Sequence, residues 1–197
     1  SKTIFNDTYR LRAEYLGKFN DVKLMPPTIA EIAFIGRSNS GKSSLLRAFL
    51  NSDKMPKVSS KPGSTRLIHL YRIGEEGVTL ADFPGYGYAQ SAKAYRARFI
   101  AMLNNYLKSP RAIKALCLLM DARRTLGEDE ELLVQIAIER KIPIILCLNK
   151  SDQLNQKEVA QLKKKFAVTK PFFEVLLVSA EKRVNLDYLR SFILSLS

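Results

Sequence analysis

A nine-residue segment with the spacing of a phosphate-binding loop is the strongest chemical signal in the sequence. It reads Gly36-Arg37-Ser38-Asn39-Ser40-Gly41-Lys42-Ser43-Ser44 and fits the pattern G-x-x-x-x-G-K-[ST]. Its two glycines allow the backbone to turn N–H groups towards phosphate oxygens at the start of a helix. In this pattern Lys42 reaches the β- and γ-phosphates, and the Ser43 hydroxyl binds Mg²⁺. The segment predicts a nucleotide site, and it leaves the base undetermined.

A second segment, Asn149-Lys150-Ser151-Asp152, follows an apolar run and indicates guanine as the base. The Asp152 carboxylate can accept hydrogen bonds from the ring N–H and the exocyclic amine of guanine, a donor pair that adenine lacks. We expect Asn149 to brace the loop and Lys150 to cover the ring. The segment Val178-Ser179-Ala180 is expected to complete the guanine site with a backbone N–H near the guanine carbonyl oxygen.

Two further segments predict contacts with the γ-phosphate. Asp82-Phe83-Pro84-Gly85 fits D-x-x-G, in which Asp82 holds Mg²⁺ through water and the Gly85 N–H meets the γ-phosphate. Gly63-Ser64-Thr65 lies in a polar loop, where Thr65 can close over Mg²⁺ only when the γ-phosphate is present. Loops that are ordered by the γ-phosphate and released on hydrolysis would form a switch. The predicted catalytic residues are Lys42, Thr65, Gly85 and Asn39.

The order of apolar runs predicts an α/β fold with a mostly parallel sheet and helices on both faces. Six strands are predicted, at Ala30–Ile35, Leu67–Ile73, Val78–Phe83, Ile113–Met120, Ile142–Leu148 and Phe172–Val178. Five helices are predicted, at Lys42–Leu50, Ala92–Leu107, Glu128–Arg140, Gln156–Phe166 and Leu186–Leu196. Because the connection Gly74–Gly77 is long enough only for a hairpin, the second strand is predicted to run antiparallel, at an edge of the sheet.

Length and composition fit one compact domain. The chain has 197 residues, of which 46% are apolar, enough for a single core. We assign residues 28–197 to the nucleotide-binding domain and residues 1–27 to an N-terminal arm or short helix, which Pro26-Pro27 separates from the first strand. The chain has neither a bilayer-spanning apolar run nor a start resembling a signal peptide, so we expect a cytoplasmic protein without a membrane partner. Cys117 and Cys147 lie in apolar runs and are expected to be reduced core residues.

The positive charge of the chain is concentrated in one region. The formal net charge is +13, and the segment from Arg37 to Ala115 holds 14 Lys or Arg against four Asp or Glu, a net of +10. Solubility does not require such clustering, so a polyanionic partner such as RNA is favoured, while a merely solvated basic face stays the alternative. We expect a monomer that does not bind DNA.

Together the motifs resemble the translation-factor-related class of P-loop GTPases, with a Ras-like core over residues 28–197. Within that class, the Lys61-Pro62-Gly63-Ser64-Thr65 loop and especially Asp82-Phe83-Pro84-Gly85-Tyr86-Gly87-Tyr88-Ala89 resemble the EngB family of YihA/YsxC-type proteins. The resemblance implies a bacterial or organellar GTPase that acts with GTP, GDP and Mg²⁺ in assembly of the large ribosomal subunit and its rRNA. It also implies a link to normal septation. Asn149 departs from the family pattern, in which many members carry Thr.

The resemblance also bears on the mechanism. Tyr86 stands where Ras has the Gln that orients the attacking water, so hydrolysis by the isolated chain is expected to be slow. Asn39 occupies the position that helps to hold K⁺ in potassium-activated relatives, and a loop residue that tolerates unusual backbone angles is the equal alternative. We call the loop that holds Thr65 the first switch and the loop that follows Asp82 the second switch. Tyr86 and Tyr88 either pack under the second switch or face a partner.

The predicted function is a GTP/GDP switch in large-subunit assembly. A regulatory GTPase with a protein partner and no ribosomal role is the alternative. A P-loop kinase is disfavoured because it would not explain Asn149–Asp152.

Overall fold

The computed structural model describes residues 13–50, 67–74, 77–87, 92–167 and 171–196. The strands are β1 (Ala13–Phe19), β2 (Ala30–Gly36), β3 (Ile68–Ile73), β4 (Val78–Asp82), β5 (Ile113–Asp121), β6 (Ile144–Asn149) and β7 (Glu174–Leu177). The helices are α1 (Lys42–Leu50), α2 (Ala92–Lys108), α3 (Glu128–Glu139), α4 (Gln156–Ala167) and α5 (Leu186–Ser195). The five helices and six of the strands lie where the sequence predicts them, with ends that differ by at most two residues.

One seven-stranded sheet organises the fold, with the strand order β1-β3-β4-β2-β5-β6-β7. The pairs β4–β2, β2–β5, β5–β6 and β6–β7 are parallel, whereas β3 runs antiparallel to both β1 and β4. The carboxyl ends of β2, β4, β5, β6 and β7 therefore meet at one edge of the sheet. Ligands of open α/β sheets bind at that edge.

The sheet is covered on both faces, which confirms the predicted three-layer α/β fold. All residues of β2, β4 and β6 are buried, as expected for strands with helices above and below. One core contains Phe99 and Leu103 of α2 with Ile136 of α3. The opposite core contains Phe49 of α1 and Leu189 of α5. This rigid centre fixes where the loops at the strand ends begin.

The predicted count of six strands is wrong, whereas the predicted antiparallel pairing of the hairpin strands β3 and β4 is confirmed. The seventh strand, β1, lies inside the segment expected to be an arm or short helix, and it pairs with β3. The strand predicted at the edge is therefore internal, and β1 takes the edge. The sequence of β1, AEYLGKF, is only partly buried and carries a register shift between Tyr15 and Gly17. Its side chains also contact β3 through polar groups, since Tyr15 is hydrogen-bonded to His69 and Glu14 pairs with Arg72. These contacts leave no alternating apolar pattern in the sequence. The boundary between residues 27 and 28 stays a prediction.

The described residues bear on two further expectations, which concern the cysteines and membrane-spanning segments. Cys117 and Cys147 are both buried and free, as predicted, and their Sγ atoms lie 3.3 Å apart across the β5–β6 pair. Within the described ranges, no helix is both long enough and apolar enough to cross a bilayer.

Candidate functional site

The phosphate loop joins the end of β2 to the start of α1, as predicted. The structure explains why glycine is needed at both of its glycine positions. A Cβ atom at Gly36 would lie 2.6 Å from Ser40 Oγ and 3.1 Å from the Leu119 carbonyl oxygen. Gly41 has a φ of +82°, and a Cβ there would lie 2.5 Å from Asn149 Nδ2. Gly36 is thus required by close packing, whereas Gly41 is required by both packing and backbone conformation.

Lys42 and Asp82 form a buried ion pair at the carboxyl edge of the sheet. Lys42 begins α1, Asp82 ends β4, and the Lys42 Nζ donates to Asp82 Oδ1. The residues are 8% and 2% exposed. Ser43 follows at the first turn of α1 and is half-buried, while Ser44 is exposed. The structure therefore brings the predicted phosphate cation, the predicted magnesium carboxylate and the predicted magnesium hydroxyl to neighbouring elements.

The chain after Asp82 runs back along the phosphate loop. Ser38 N donates to the Tyr86 carbonyl oxygen at 2.9 Å, and Tyr86 N donates to the Gly36 carbonyl oxygen at 3.3 Å. A Cβ atom at Gly85 would lie 3.1 Å from Ser38 Cα. Gly85 is therefore packed directly against the phosphate loop, and its predicted role as a γ-phosphate donor stays a prediction. Between Asp82 and Gly85, Phe83 is buried and Pro84 is half-buried.

Arg37 and Tyr86 point away from this edge towards α3. The Arg37 guanidinium pairs with Asp129 at 3.0 Å and with Glu130 at 3.4 Å. Tyr86 is 4% exposed and its hydroxyl donates to Glu130 Oε2 at 3.0 Å. Burial, followed by the neighbouring Glu130 charge, raises the pKa of Tyr86 far above its usual value. Tyr86 is therefore buried, with its ring 5.4 Å from that of Phe99 on α2, and does not face a partner.

Asn149 joins the phosphate loop to the last loop of the guanine region. It is 1% exposed; its Nδ2 donates to the Ser40 carbonyl oxygen at 3.0 Å, and its Oδ1 accepts from Ala180 N at 3.2 Å. Lys150 adopts a left-handed φ of 61°, and its Nζ donates to the Asn39 carbonyl oxygen at 3.0 Å. Asn149 thus braces the loop as expected, and Lys150 also spans the gap to the phosphate loop.

Asp152 is held by the strand-end segment beside it. Its Oδ1 accepts from Ser179 Oγ at 2.7 Å, and Ser151 N donates to the Val178 carbonyl oxygen at 3.0 Å. The Ser179 hydrogen bond is the largest cause of a lowered pKa at Asp152. The carboxylate is therefore charged and oriented at neutral pH. That is the state required to accept two hydrogen bonds from guanine.

Comparison with known proteins identifies the family. The family model described as "50S ribosome-binding GTPase" matches residues 31–150. A probable GTP-binding protein EngB of Hamiltonella defensa subsp. Acyrthosiphon pisum (strain 5AT) is 35% identical over 190 residues, which are 94% of this chain and 92% of that relative. The chain belongs to the EngB family of GTP-binding proteins.

Other EngB comparisons agree over the same core. A probable GTP-binding protein EngB of Buchnera aphidicola subsp. Baizongia pistaciae (strain Bp) is 40% identical over 126 residues. This match covers 64% of the chain and 55% of that relative's length. A crystal structure of a probable GTP-binding protein engB superposes with a TM-score of 0.64 at 25% identity, covering 84% of this chain and 97% of the other. The fold and the GTPase family are therefore established together.

Mg²⁺ fits the donor set that the EngB fold brings together. Mg²⁺ prefers oxygen ligands, and in nucleotide sites it is held by one or two side chains together with phosphate oxygens. The Ser43 hydroxyl and the Asp82 carboxylate are such a pair. In the part of the chain that the structure describes, no group of three or more His, Cys, Asp or Glu could hold a metal by itself. Mg²⁺ at this place would accordingly depend on the bound phosphates.

Two sets of residues near the EngB site were not predicted from the sequence. Asp121 ends β5 and accepts from Arg123 Nη2 at 2.7 Å, and its Oδ2 lies 3.5 Å from Lys150 Nζ. The Arg123 hydrogen bonds lower the pKa of Asp121 to about 2. Like Asp82 and Asn149, Asp121 lies at the end of an apolar strand, and this position could have indicated a site residue. The second set, Asp129 and Glu130, lies on a helix with no such signal.

Several predicted site residues lie outside the described ranges. These are the first-switch residues Gly63, Ser64 and Thr65, together with Tyr88 and the basic residues Lys54, Lys57, Lys61 and Arg66. Their roles in the EngB site stay predictions. Asn39 is exposed at the phosphate loop, and its predicted role towards K⁺ also stays a prediction.

Proposed function

We propose that this protein hydrolyses GTP slowly and uses the GTP/GDP cycle as a switch in assembly of the large ribosomal subunit. The observation that carries the proposal is the match of residues 31–150 to a family of 50S ribosome-binding GTPases. The proposal places the protein in the cytoplasm, as a monomer. A link to septation, which the resemblance implies, stays a prediction.

The proposed chemistry is electrostatic. Lys42 would pair with the β- and γ-phosphates, and the Gly85 N–H would donate to the γ-phosphate as charge develops there. Ser43 would bind Mg²⁺ directly and Asp82 through water, and the ion would neutralise charge on the phosphate oxygens. Asp152 would select guanine, with Asn149 and Lys150 holding the loop around it.

Slow hydrolysis is supported by the position of Tyr86. Its hydroxyl is bonded to Glu130, and its ring is buried beside Phe99 of α2, so it does not replace the water-orienting Gln of Ras. A cation beside Asn39, or the ribosome itself, would supply the missing stabilisation of the transition state. Stimulation of hydrolysis by K⁺ or by ribosomal subunits is therefore part of the proposal.

Contact with rRNA is supported by basic side chains next to the second switch. Lys93, Arg96 and Arg98 lie on α2 and are exposed. Arg96 differs from the other two, because its Nε lies 3.0 Å from Asp129 Oδ1. Lys93 and Arg98 are therefore the better candidates for phosphate contacts, and a variant that tests the surface should leave Arg96 in place.

The test is sedimentation with immature large ribosomal subunits over a range of salt concentrations. The parent should bind better with a non-hydrolysable GTP analogue than with GDP, because the surface lies beside a segment that meets the γ-phosphate. Lys93→Ala/Arg98→Ala should weaken binding and reduce the slope of log affinity against log salt by roughly one to two units, since each lost phosphate contact removes about 0.7–0.9. GTP affinity should stay unchanged.

A matched control removes two exposed charges from another helix, as Lys163→Ala/Lys164→Ala on α4. It should sediment like the parent. An unchanged salt slope in the α2 variant would show that Lys93 and Arg98 belong to a solvated face and do not contact rRNA phosphates. Equal binding with GDP and with the GTP analogue would reject the switch. If the parent binds subunits at none of the salt concentrations, the alternative function, a regulatory GTPase with a protein partner, becomes the better proposal.

A further inference from the structure

One buried carboxylate on α3 contacts two segments of the proposed phosphate site. Glu130 is 1% exposed and lies in the first turn of α3. Its Oε2 accepts from the Tyr86 hydroxyl at 3.0 Å, and its Oε1 accepts from Arg37 Nε at 3.4 Å and from Gly127 N at 3.3 Å. A charge buried this deeply is stable only where it is paired and hydrogen-bonded. The carboxylate therefore ties the phosphate loop and the second switch to α3.

Arg37 fills the space between the carboxylates and the second switch. Its guanidinium carbon lies 5.5 Å from the centre of the Tyr86 ring, and its Nη2 pairs with Asp129 at 3.0 Å. A Cβ atom at Gly87 would lie 2.3 Å from Arg37 Nη1, and Gly87 has a φ of +86°. The Arg37 side chain could shift to make room for a Cβ atom, but the positive φ would strain any other residue at position 87. We call Arg37, Tyr86, Asp129 and Glu130 the Glu130 network.

The Glu130 network fixes the residue that precedes Tyr86. The backbone of Tyr86 is bonded on both sides to the phosphate loop, through Gly36 and Ser38. The carbonyl oxygen of Gly85 accepts from the Tyr95 hydroxyl on α2. Gly85 is therefore held from α2 on one side and, through Tyr86, from α3 on the other. Its N–H is the group expected to meet the γ-phosphate.

We propose that Glu130 is a positioning residue for GTP recognition, which holds Gly85 in place by bonding Tyr86. The inference rests on the phosphate site proposed above. The proposal predicts different effects on GTP and GDP, because Gly85 is expected to contact only the γ-phosphate, which GDP lacks. Weakening the Glu130 network should lower the affinity for GTP and leave the affinity for GDP nearly unchanged.

The experiment compares the affinities of full-length variants for GDP and for a non-hydrolysable GTP analogue by titration. Tyr86→Phe removes the hydroxyl and keeps the ring, so the preference for the GTP analogue over GDP should fall about tenfold, as for one lost hydrogen bond. Glu130→Gln keeps an acceptor for Tyr86 and loses the charge that pairs with Arg37, so a smaller fall is expected. Glu131→Gln, at the exposed neighbouring position, is the matched control and should behave like the parent.

A fourth variant separates the positioning role from the phosphate site itself. In Gly85→Ala the new Cβ would press on Ser38, so the preference for the GTP analogue should fall whatever Glu130 does. If only Gly85→Ala changes the preference, the site stands and the role of Glu130 is rejected. If Gly85→Ala changes nothing, the phosphate-site assignment is wrong and the inference falls with it. Equal losses for GDP and the GTP analogue in Tyr86→Phe would show a merely structural contact.

Discussion

The two ends of the proposed nucleotide site satisfy their polar groups in different ways. At the guanine end, Asn149 is bonded to Ser40 and Ala180, and Asp152 is oriented by Ser179. Because these partners belong to the protein scaffold, we expect the arrangement to persist when a base binds. At the phosphate end, the ion-paired partner of Lys42 is Asp82, and the proposed chemistry requires each to contact the ligand instead.

The difference has an energetic consequence. A preorganised site loses little free energy to rearrangement, which favours selective binding. Separating a buried ion pair is costly unless each charge gains a new partner. Phosphate oxygens would replace Asp82 beside Lys42, and hydrated Mg²⁺ would replace Lys42 beside Asp82. The guanine end is therefore suited to selecting the base, and the phosphate end to responding to Mg²⁺ and phosphate together.

The largest expected effect follows from breaking the ion pair. Lys42→Ala leaves the Asp82 carboxylate buried without its cation, which should lower the free energy of unfolding by about 3–5 kcal/mol. The same change should slow GTP hydrolysis by roughly 100-fold or more, because it removes a charge that stabilises the transition state. Unfolding in denaturant and single-turnover hydrolysis measure the two effects.

Two controls sharpen this prediction. Adding Asp82→Ala to Lys42→Ala should recover part of the stability and none of the activity. Ser43→Ala should slow hydrolysis through the loss of a magnesium ligand while leaving the ion pair intact. Full activity of Lys42→Ala or of Ser43→Ala would contradict the assignment of the phosphate end.

A smaller effect, confined to ligand choice, is expected at the guanine end. Asp152→Asn presents an N–H donor where guanine also donates, so GTP affinity should fall by about tenfold or more and xanthosine triphosphate should become the better ligand. Stability should change little, because Asp152 is near solvent. Ser179→Ala, which removes only the orienting hydroxyl, should produce a weaker loss. Unchanged GTP affinity of Asp152→Asn in a titration would overturn the guanine assignment.

The smallest expected effect concerns Asp121 and the pH dependence of stability. Since the folded pKa is about 2 and the usual value is near 4, the carboxylate stabilises the fold above about pH 4, and this contribution is lost as the pH falls towards about 2. Asp121→Asn should flatten the stability profile in that window by about 0.2–1 kcal/mol, the range for ion pairs that contact solvent. Arg123→Ala should flatten it similarly. Identical stability profiles for both variants and the parent would show that the Asp121–Arg123 pair contributes nothing to the free energy of unfolding.

The site motifs could be read from the sequence because each one is local. A buried strand followed by a glycine-containing loop and a helix predicts α1 at Lys42–Leu50, which are also its observed bounds. The same reasoning predicts that Asp82 and Asn149 lie at the carboxyl ends of buried strands. In each case the strand, the turn and the functional residue are adjacent in the chain, and short-range backbone preferences are enough to place them.

The contacts between these motifs were decided by the tertiary structure alone. Lys42 and Asp82 are 40 residues apart, Tyr86 and Glu130 are 44 apart, and Asn149 and Ser40 are 109 apart. Such pairs depend on which strands are neighbours and in what register, and an apolar pattern shows that a strand is buried without showing its partner. For the same reason β1 was not predicted, because its pairing with β3 rests on long-range contacts, such as that of Tyr15 with His69, 54 residues away. The sequence by itself thus determined the chemical groups of the site, and long-range packing determined how they hold one another.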